Sequence, residues 1–311
     1  MNKRTLVSVV VTTYNQEKYI EKALRSVLEQ ECDADIELLV GDDCSTDNTP
    51  KIIEKLANEY PTIIKPMYNK INVGMSQNLY NQIVRSVGGV IAYLDGDDWW
   101  TDKYKLQKQL DFLEYNADYG LVVSYARAYD ETTGTYQERL GSNSVCDFET
   151  LMYGDTDVQS QTMLFRRDLL LAHKEDFKWY VDNNCFFDSI IAYYFAYYSK
   201  IHFMEEELAV YRILPNSGCH STNKQKQIEY TKRYFAIKSR FMIDNNVSPN
   251  LCHSVLLNEW NKAFQYGSWI MAEQIRNSKR YKLGAFLFNP IAGLKKICNS
   301  IQNRRSKYEK R

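Results

Sequence analysis

The chain has no Cys-x-x-Cys pair, no Gly-x-Gly-x-x-Gly after its first apolar run, no Gly-x-x-x-x-Gly-Lys-[Ser/Thr] and no apolar run of about 18 residues. Each absence excludes a class. The cysteines (Cys32, Cys44, Cys146, Cys185, Cys219, Cys252, Cys298) are scattered and number seven, an odd count. They read as reduced thiols, not as a zinc site or a disulfide framework. Without the dinucleotide fingerprint or the phosphate loop, a Rossmann dehydrogenase and a P-loop NTPase are disfavoured. No spanning helix is expected. The N-terminus enters an apolar strand pattern without a signal-like h-region, so no signal peptide is expected. Net charge is also missing, with 39 Lys+Arg against 39 Asp+Glu. The balance is uneven, because Arg276 to Arg311 holds eleven basic residues against Glu309 alone.

What is present is an ordinary globular composition of 311 residues, 44% hydrophobic and 25% charged, enough for one large α/β domain with an appendage. Apolar β-branched runs alternate with helical spacing. Leu6–Val11 reads as a buried strand, followed by a polar turn at Thr12–Asn15. Tyr19, Ile20, Ala23, Leu24, Val27 and Leu28 fall at helical intervals. Ile36–Val40 is a second strand, ending in Gly41–Thr49, with Thr49 predicted as N-cap and Pro50 opening a helix. Ile63–Tyr68 is a weaker strand, Asn72-Val73-Gly74 a turn, Ser76–Val87 a helix and Val90–Leu94 a strand. Alternation at this spacing implies right-handed crossovers and a parallel sheet. Ligands bind beyond the carboxyl ends of such strands. Thr12–Asn15, Asp42–Thr49 and Asp95–Asp98 all lie there.

Asp95-Gly96-Asp97-Asp98 is the most telling of these segments. Like carboxylates at a strand's end repel, and burial raises the cost. A hard divalent cation, Mg²⁺ or Mn²⁺, removes that penalty and leaves room for substrate phosphates. A solvated acidic turn is the alternative. Asp43 is placed to accept from a base N–H, with Thr12 and Thr13 alongside, while Asp47 suits loop capping. Asn72 and Asn78 read as capping and stapling residues, and Gly74 as a backbone requirement.

Four segments, VSVVVTTYNQEKYIEKALRSVLEQ, LLVGDDCSTDNT, NVGMSQN and IAYLDGDDWW, occur in this order over about residues 5–115. Together they resemble the family 2 glycosyltransferases of the GT-A fold, the type found in bacterial polysaccharide and cell-surface glycan synthesis. The resemblance implies an α/β fold with a mostly parallel sheet flanked by helices, an NDP-sugar donor, most often UDP-linked, a divalent metal and inversion at the anomeric carbon. It implies nucleotide contacts from Thr12, Thr13, Tyr14, Asp43, Asn72 and Asp95, with Asp97 reaching the metal. Asp98 and Trp99 fall beside the diphosphate and sugar. Arg212 and His220, after the last core strand, match positions that would face the leaving diphosphate. Asp188, before a long helix, matches the general base, although Phe187 stands where the family often has a second acid. Asp182 is the alternative base, and a helix N-cap is the alternative role for Asp188.

Further along, Leu121–Ala126 and Gln159–Phe165 read as strands, 130–147 as a loop, and Lys200–Met204 and Leu208–Arg212 as separate strands. Gln161 is a candidate for the acceptor side. The division expected is 1–221 as the glycosyltransferase domain (1–115 nucleotide-sugar half, 116–221 acceptor half) and 222–311 as a helical C-terminal region. The basic, amphipathic stretch after Tyr281 suits an anionic membrane surface, with a solvated basic helix or a disordered end as the alternative. The expected location is cytoplasmic or peripheral on the inner face of the membrane, and the resemblance implies a glycan or lipid-linked glycan acceptor. Nucleic acid is not an expected partner. A catalytically silent nucleotide-sugar-binding or assembly subunit and a nucleotidyltransferase are the rival classes. Against the latter, Thr12–Asn15 lacks the glycine and lysine of a phosphate-gripping loop.

Overall fold

The computed structural model describes residues 5–141, 147–154, 157–185, 187–215 and 224–265. The elements in chain order are β1 (Leu6–Thr13), α1 (Ile20–Leu28), β2 (Asp35–Asp42), α2 (Thr49–Glu59), β3 (Ile64–Tyr68), α3 (Met75–Arg85), β4 (Val90–Asp95), β5 (Trp99–Trp100), α4 (Lys105–Tyr115), β6 (Tyr119–Asp130), β7 (Thr135–Leu140), α5 (Phe148–Tyr153), β8 (Leu164–Arg166), α6 (Arg167–Leu171), α7 (Lys178–Asp182), α8 (Phe187–Tyr198), β9 (Lys200–Ile213), α9 (Lys224–Asp244) and α10 (Pro249–Gln265). A 3₁₀ turn, Ser160–Thr162, precedes β8.

The strands form one mixed sheet in the order β3-β2-β1-β4-β8-β6-β9-β5, with β7 paired to β6. β3, β2, β1 and β4 are parallel throughout. The chain starts at β1, moves outward to β2 and β3, then returns to β4 on the other side of β1. The strand order therefore reverses at β1/β4, the place where an open α/β sheet leaves a crevice beyond its carboxyl ends. β1, β2 and β4 are near-continuous apolar runs because both faces are covered. Val7, Val9, Val11, Leu38, Val40, Ala92 and Leu94 pack on α1, α2 and α4. The opposite face meets α3 along β1 and β2, and α8 along β6. Strand alternation places Thr12, Tyr93 and Asp95 on this second face.

Several sequence expectations are corrected here. Thr12 and Thr13 belong to β1 and not to a turn: they are in register with Gly41 and Asp42 of β2. Asn48 is the N-cap of α2; Thr49 is its first residue, fully buried, with its Oγ1 accepting from Gln16 N–H at 2.9 Å. Gln159–Phe165 is a 3₁₀ turn plus a three-residue strand, because Thr162 Oγ1 and N–H both bond back to the Gln159 carbonyl. The expected loop 130–147 contains β7, hairpinned onto β6; nearly all its side chains face solvent, so no burial pattern marked it. Residues 200–213 form one strand, paired with β6 through three register shifts that mask the period.

The chain divides into two compact units, Met1–Thr222 and Asn223–Arg311. Within the second, Lys238 of α9 pairs with Glu259 of α10 at 2.8 Å, nearly buried. The basic tail from Arg276 onward lies outside the described residues. Among the described residues no helix is long and apolar enough to cross a membrane.

Lys105, the first residue of α4, is fully buried. Its Nζ donates to Gln109 Oε1 at 2.8 Å and lies 4.2 Å over the Trp100 ring. Burial lowers its pKa to about 7. Between that value and its unfolded value the unfolded chain holds a proton that the folded chain has released, so stability rises with pH across this window. We expect the melting temperature of Lys105→Met to be flatter than wild type between pH 7 and about 9 in buffered thermal scans. Parallel profiles would show that the ammonium stays charged in the core.

Candidate active site

The rim at the β1/β4 switch is set by strand register. Thr12 pairs with Gly41 on one side and with Asp95 on the other. The rim is then closed by backbone bonds: Gly96 N–H donates to the Thr12 carbonyl and Asp43 N–H to the Thr13 carbonyl, both at 2.9 Å. Thr12 and Thr13 are buried, whereas Tyr14 is exposed on the lip.

Asp43 holds the neighbouring loop. Its Oδ1 accepts from Val73 N–H at 2.8 Å and Asn69 Nδ2 at 3.0 Å, and its Oδ2 from Gly74 N–H at 2.9 Å. A carboxylate offers about four acceptor directions, so one on Oδ2 is left. Asn78, fully packed, donates to the Gly41 carbonyl, and Asn72 is exposed on the loop. Asn15 Oδ1 accepts from Thr46 N–H, and Asp47 takes Glu17 N–H and Thr49 N–H, joining the first two rim loops.

Three carboxylates crowd the end of β4. Asp95 Oδ1 accepts from the Tyr93 hydroxyl, which also lies 3.1 Å from Thr12 Oγ1. Burial, then the Asp97 charge and to a smaller degree Asp188, raise the Asp95 carboxyl to about 7. Burial raises Asp97 too, against its own backbone amide, Arg212 and Gln16, which hold it down. Asp98, 2% exposed, is pushed well up by burial and by Asp97 and Asp95. Its Oδ1 accepts from Arg212 N–H at 2.8 Å, while Oδ2 is buried without a partner among the described residues.

Arg212 braces this turn. Its Nε donates to the Asp97 carbonyl at 2.8 Å and Nη1 pairs with Glu131. The guanidinium lies over the rings of Tyr19 and Trp99, at 4.4 and 4.7 Å. Arg212 is 7% exposed, so it serves as a strut here and is not a free cation facing the crevice. Trp99, expected beside the sugar, is buried as well, its ring taken by Arg212, by Tyr129 and by Lys22 at 3.3 Å. Glu131, Lys22, Gln16 and Tyr93 escaped the sequence reading. Tyr93 alone left a signal, two positions before Asp95 on the same strand face.

Asp188 reaches the site from α8. That helix begins at Phe187, so Asp188 stands inside the first turn and is not its N-cap. Its Oδ1 is buried without a hydrogen-bond partner among the described residues, and burial raises its pKa. It lies near enough to Asp95 and Tyr93 for its charge to raise both. Asp182 instead pairs with Lys178 on the surface at 3.4 Å. Gln161 is buried in the 3₁₀ turn, its carbonyl accepting from Trp100 Nε1. His220 lies outside the described residues.

Asp95 and Asp97 suit a hard divalent cation. Both carry oxygen donors, and the Asp95 carboxylate is raised by burial and by the Asp97 and Asp188 charges. Among the described residues no three His, Cys, Asp or Glu side chains are already gathered around one point. A cation here would therefore rest on one or two carboxylates and complete its shell with water and phosphate.

The family model described as Glycosyl transferase family 2 matches residues 8–173. An uncharacterized glycosyltransferase of Nostoc sp. is 26% identical over 287 residues, covering 86% of this chain and 85% of that protein. Against uncharacterized mycobacterial proteins, 38% identical over 108 residues, the match spans 31% of their length. Among solved structures, residues 1–349 of S. aureus TarS in complex with UDP align with a TM-score of 0.57 at 20% identity, over 83% of this chain and 72% of that one. A mannosyltransferase from Pyrobaculum calidifontis in complex with GDP-Man and Mn²⁺ aligns with a TM-score of 0.55 at 15% identity, over 94% and 84%. At these identities the two structures speak for the fold, the curled α/β sheet flanked by helices.

The Arg212 brace generates a stability prediction. Removing one partner of a buried ion pair leaves the other charges uncompensated. Arg212→Ala should cost about 3 kcal/mol in urea unfolding. Arg212→Lys should not recover it, because an ammonium cannot serve the Asp97 carbonyl and Glu131 with a planar fork. A loss under about 0.5 kcal/mol, the size of an ordinary surface change, would show that the turn holds itself.

Proposed function

The chain belongs to glycosyl transferase family 2, and on that footing we propose that it transfers a sugar from an NDP-sugar, UDP-linked by preference, to a hydroxyl of a glycan or lipid-linked glycan, with inversion at the anomeric carbon. The donor half would be 1–115 and the acceptor half 116–221. The base of the nucleotide rests against Thr12, Thr13 and Tyr14, with its imide N–H donated to the remaining acceptor direction of Asp43 Oδ2. Asn72 borders the same pocket from the exposed rim loop, and Asp95 faces the ribose and sugar. Asp95 and Asp97 would hold Mn²⁺ or Mg²⁺, which when bound supplies positive charge beside the diphosphate.

Asp188 is the general base. The acceptor oxygen loses its proton to Asp188 as it attacks the anomeric carbon. The bond from that carbon to the diphosphate oxygen breaks on the opposite face, and its electron pair leaves with the nucleoside diphosphate. No covalent enzyme intermediate forms. The observation that carries this reading is the buried, unpartnered Oδ1 of Asp188 close to Asp95. Burial outweighs the Ser189 and Asp188 amides that hold this carboxyl down, and a raised proton affinity is what a base at neutral pH needs. The UDP and GDP-Man complexes of the structural neighbours support the donor class.

Thermal shift with a panel of nucleotide sugars, with and without Mn²⁺, identifies the donor, and turnover follows with that donor. Asp188→Asn should lower kcat by about 100- to 10,000-fold while UDP binding by calorimetry is kept. Turnover at the wild-type rate would remove Asp188 from this role, and loss of UDP binding would assign it to the donor instead.

The basic stretch from Arg276 to Arg311 would bring the enzyme to an anionic membrane surface. Vesicle flotation should show binding to phosphatidylglycerol vesicles that is lost on truncation after about residue 275 and weakened by salt. Equal flotation of both forms would separate the tail from the membrane.

A further inference from the structure

Helix α3 starts at Met75 with Gly74 as N-cap, at φ +89°, and no side chain of its own caps it. A helix start leaves amide hydrogens without partners. Here they are met by side chains from two other parts of the fold. Asp43, at the end of β2, accepts from Val73 and Gly74 N–H. Asn184, in the turn between α7 and α8, accepts from Ser76 N–H through Oδ1 at 3.3 Å. The Ser76 hydroxyl donates to the next carbonyl of that turn, Cys185. Ser76 is fully buried and Cys185 nearly so, which makes both bonds costly to break without replacement.

The segment Val73–Ser76 is thus gripped from two sides. One grip is the residue assigned to the nucleotide base. The other is the turn that delivers Asp188 a few residues later. The contact is tight: a Cβ on Gly74 would come within 3.0 Å of Asn184 Oδ1. Asn184 itself sits at φ +46°, in the left-handed region that asparagine tolerates better than most residues.

We propose that Asn184 and Ser76 are positioning residues that couple nucleotide occupancy at Asp43 to the placement of Asp188. The proposal rests on the roles given above to Asp43 and Asp188. A base bonded to Asp43 restrains Val73 and Gly74, and Ser76 passes that restraint through Asn184 and Cys185 into the first turn of α8. The base then stands over Asp95 when a donor is present. The coupling is a difference in order between the empty and filled states, so amide exchange reads it directly.

The experiment uses the full chain, UDP with Mn²⁺, and amide hydrogen exchange read by mass spectrometry alongside steady-state kinetics. In wild type, UDP should slow exchange in peptides covering 72–80 and 187–193. Asn184→Gly removes the acceptor oxygen and keeps the left-handed backbone free of strain. In that variant UDP should still protect 72–80 but no longer 187–193. Its kcat should fall about tenfold with donor KM within about threefold of wild type. Asn184→Asp, which retains the oxygen, should recover most of the loss. Protection of both segments in Asn184→Gly, or a raised donor KM at unchanged kcat, would overturn the coupling. UDP binding to wild type without protection of 187–193 would overturn it as well and leave the nucleotide site standing. Failure of wild type to bind UDP would sink the nucleotide reading, and the coupling with it.

Discussion

Negative charge concentrated at the end of one buried strand governs this structure. Asp95, Asp97 and Asp98 cluster at the end of β4, at the point where the strand order reverses; burial pushes all three carboxyls up, and neighbouring carboxylates add to it at Asp95 and Asp98. The fold tolerates this by dividing the load. Asp98 turns inward to the Arg212 amide, Asp95 leans on Tyr93, and the Asp97 carbonyl takes the Arg212 guanidinium. Asp95 has only the Tyr93 and Thr12 hydroxyls to set against this load, while Arg212 and Gln16 partly offset Asp97.

The brace on that turn comes from far along the chain. Arg212 lies on the last strand of the sheet and Glu131 just beyond β6, the strand paired with it. Parallel pairing of β6 and β9 brings them together, and β5 pairs to β9 so that Trp99 covers the guanidinium. The later half of the sheet therefore also supports the acidic turn of the first half. The first half supplies the Gly96–Thr12 and Asp98–Asp95 backbone bonds of the turn, and Arg212 adds the side-chain brace.

The rim loops follow the same economy of partners. Asp43 satisfies amides in a loop some thirty residues away, and Asn184 caps a helix more than a hundred residues before it. Buried amides at a helix start need acceptors wherever the chain can supply them. Here the supply joins the loop held by Asp43 to the turn that precedes the helix carrying Asp188.

By itself the sequence determined the alternation of β1, α1, β2, α2, β3, α3 and β4, because a two-sided buried strand and an amphipathic helix each write their period into the residues. It also marked Asp43, Asp95, Asp97 and Asp188, since Asp at a strand end or a helix start is a local signal. The family followed from the order of four such segments. Tertiary structure alone decided the roles that depend on pairing across the chain. It turned Arg212 and Trp99 from free site groups into a strut, brought in Glu131 and Tyr93, placed Asp188 beyond the cap position, and built β7 from six residues with no apolar period. The reason is physical: a side chain's period reports whether it is buried, but only the register of strands distant in sequence sets what it is buried against.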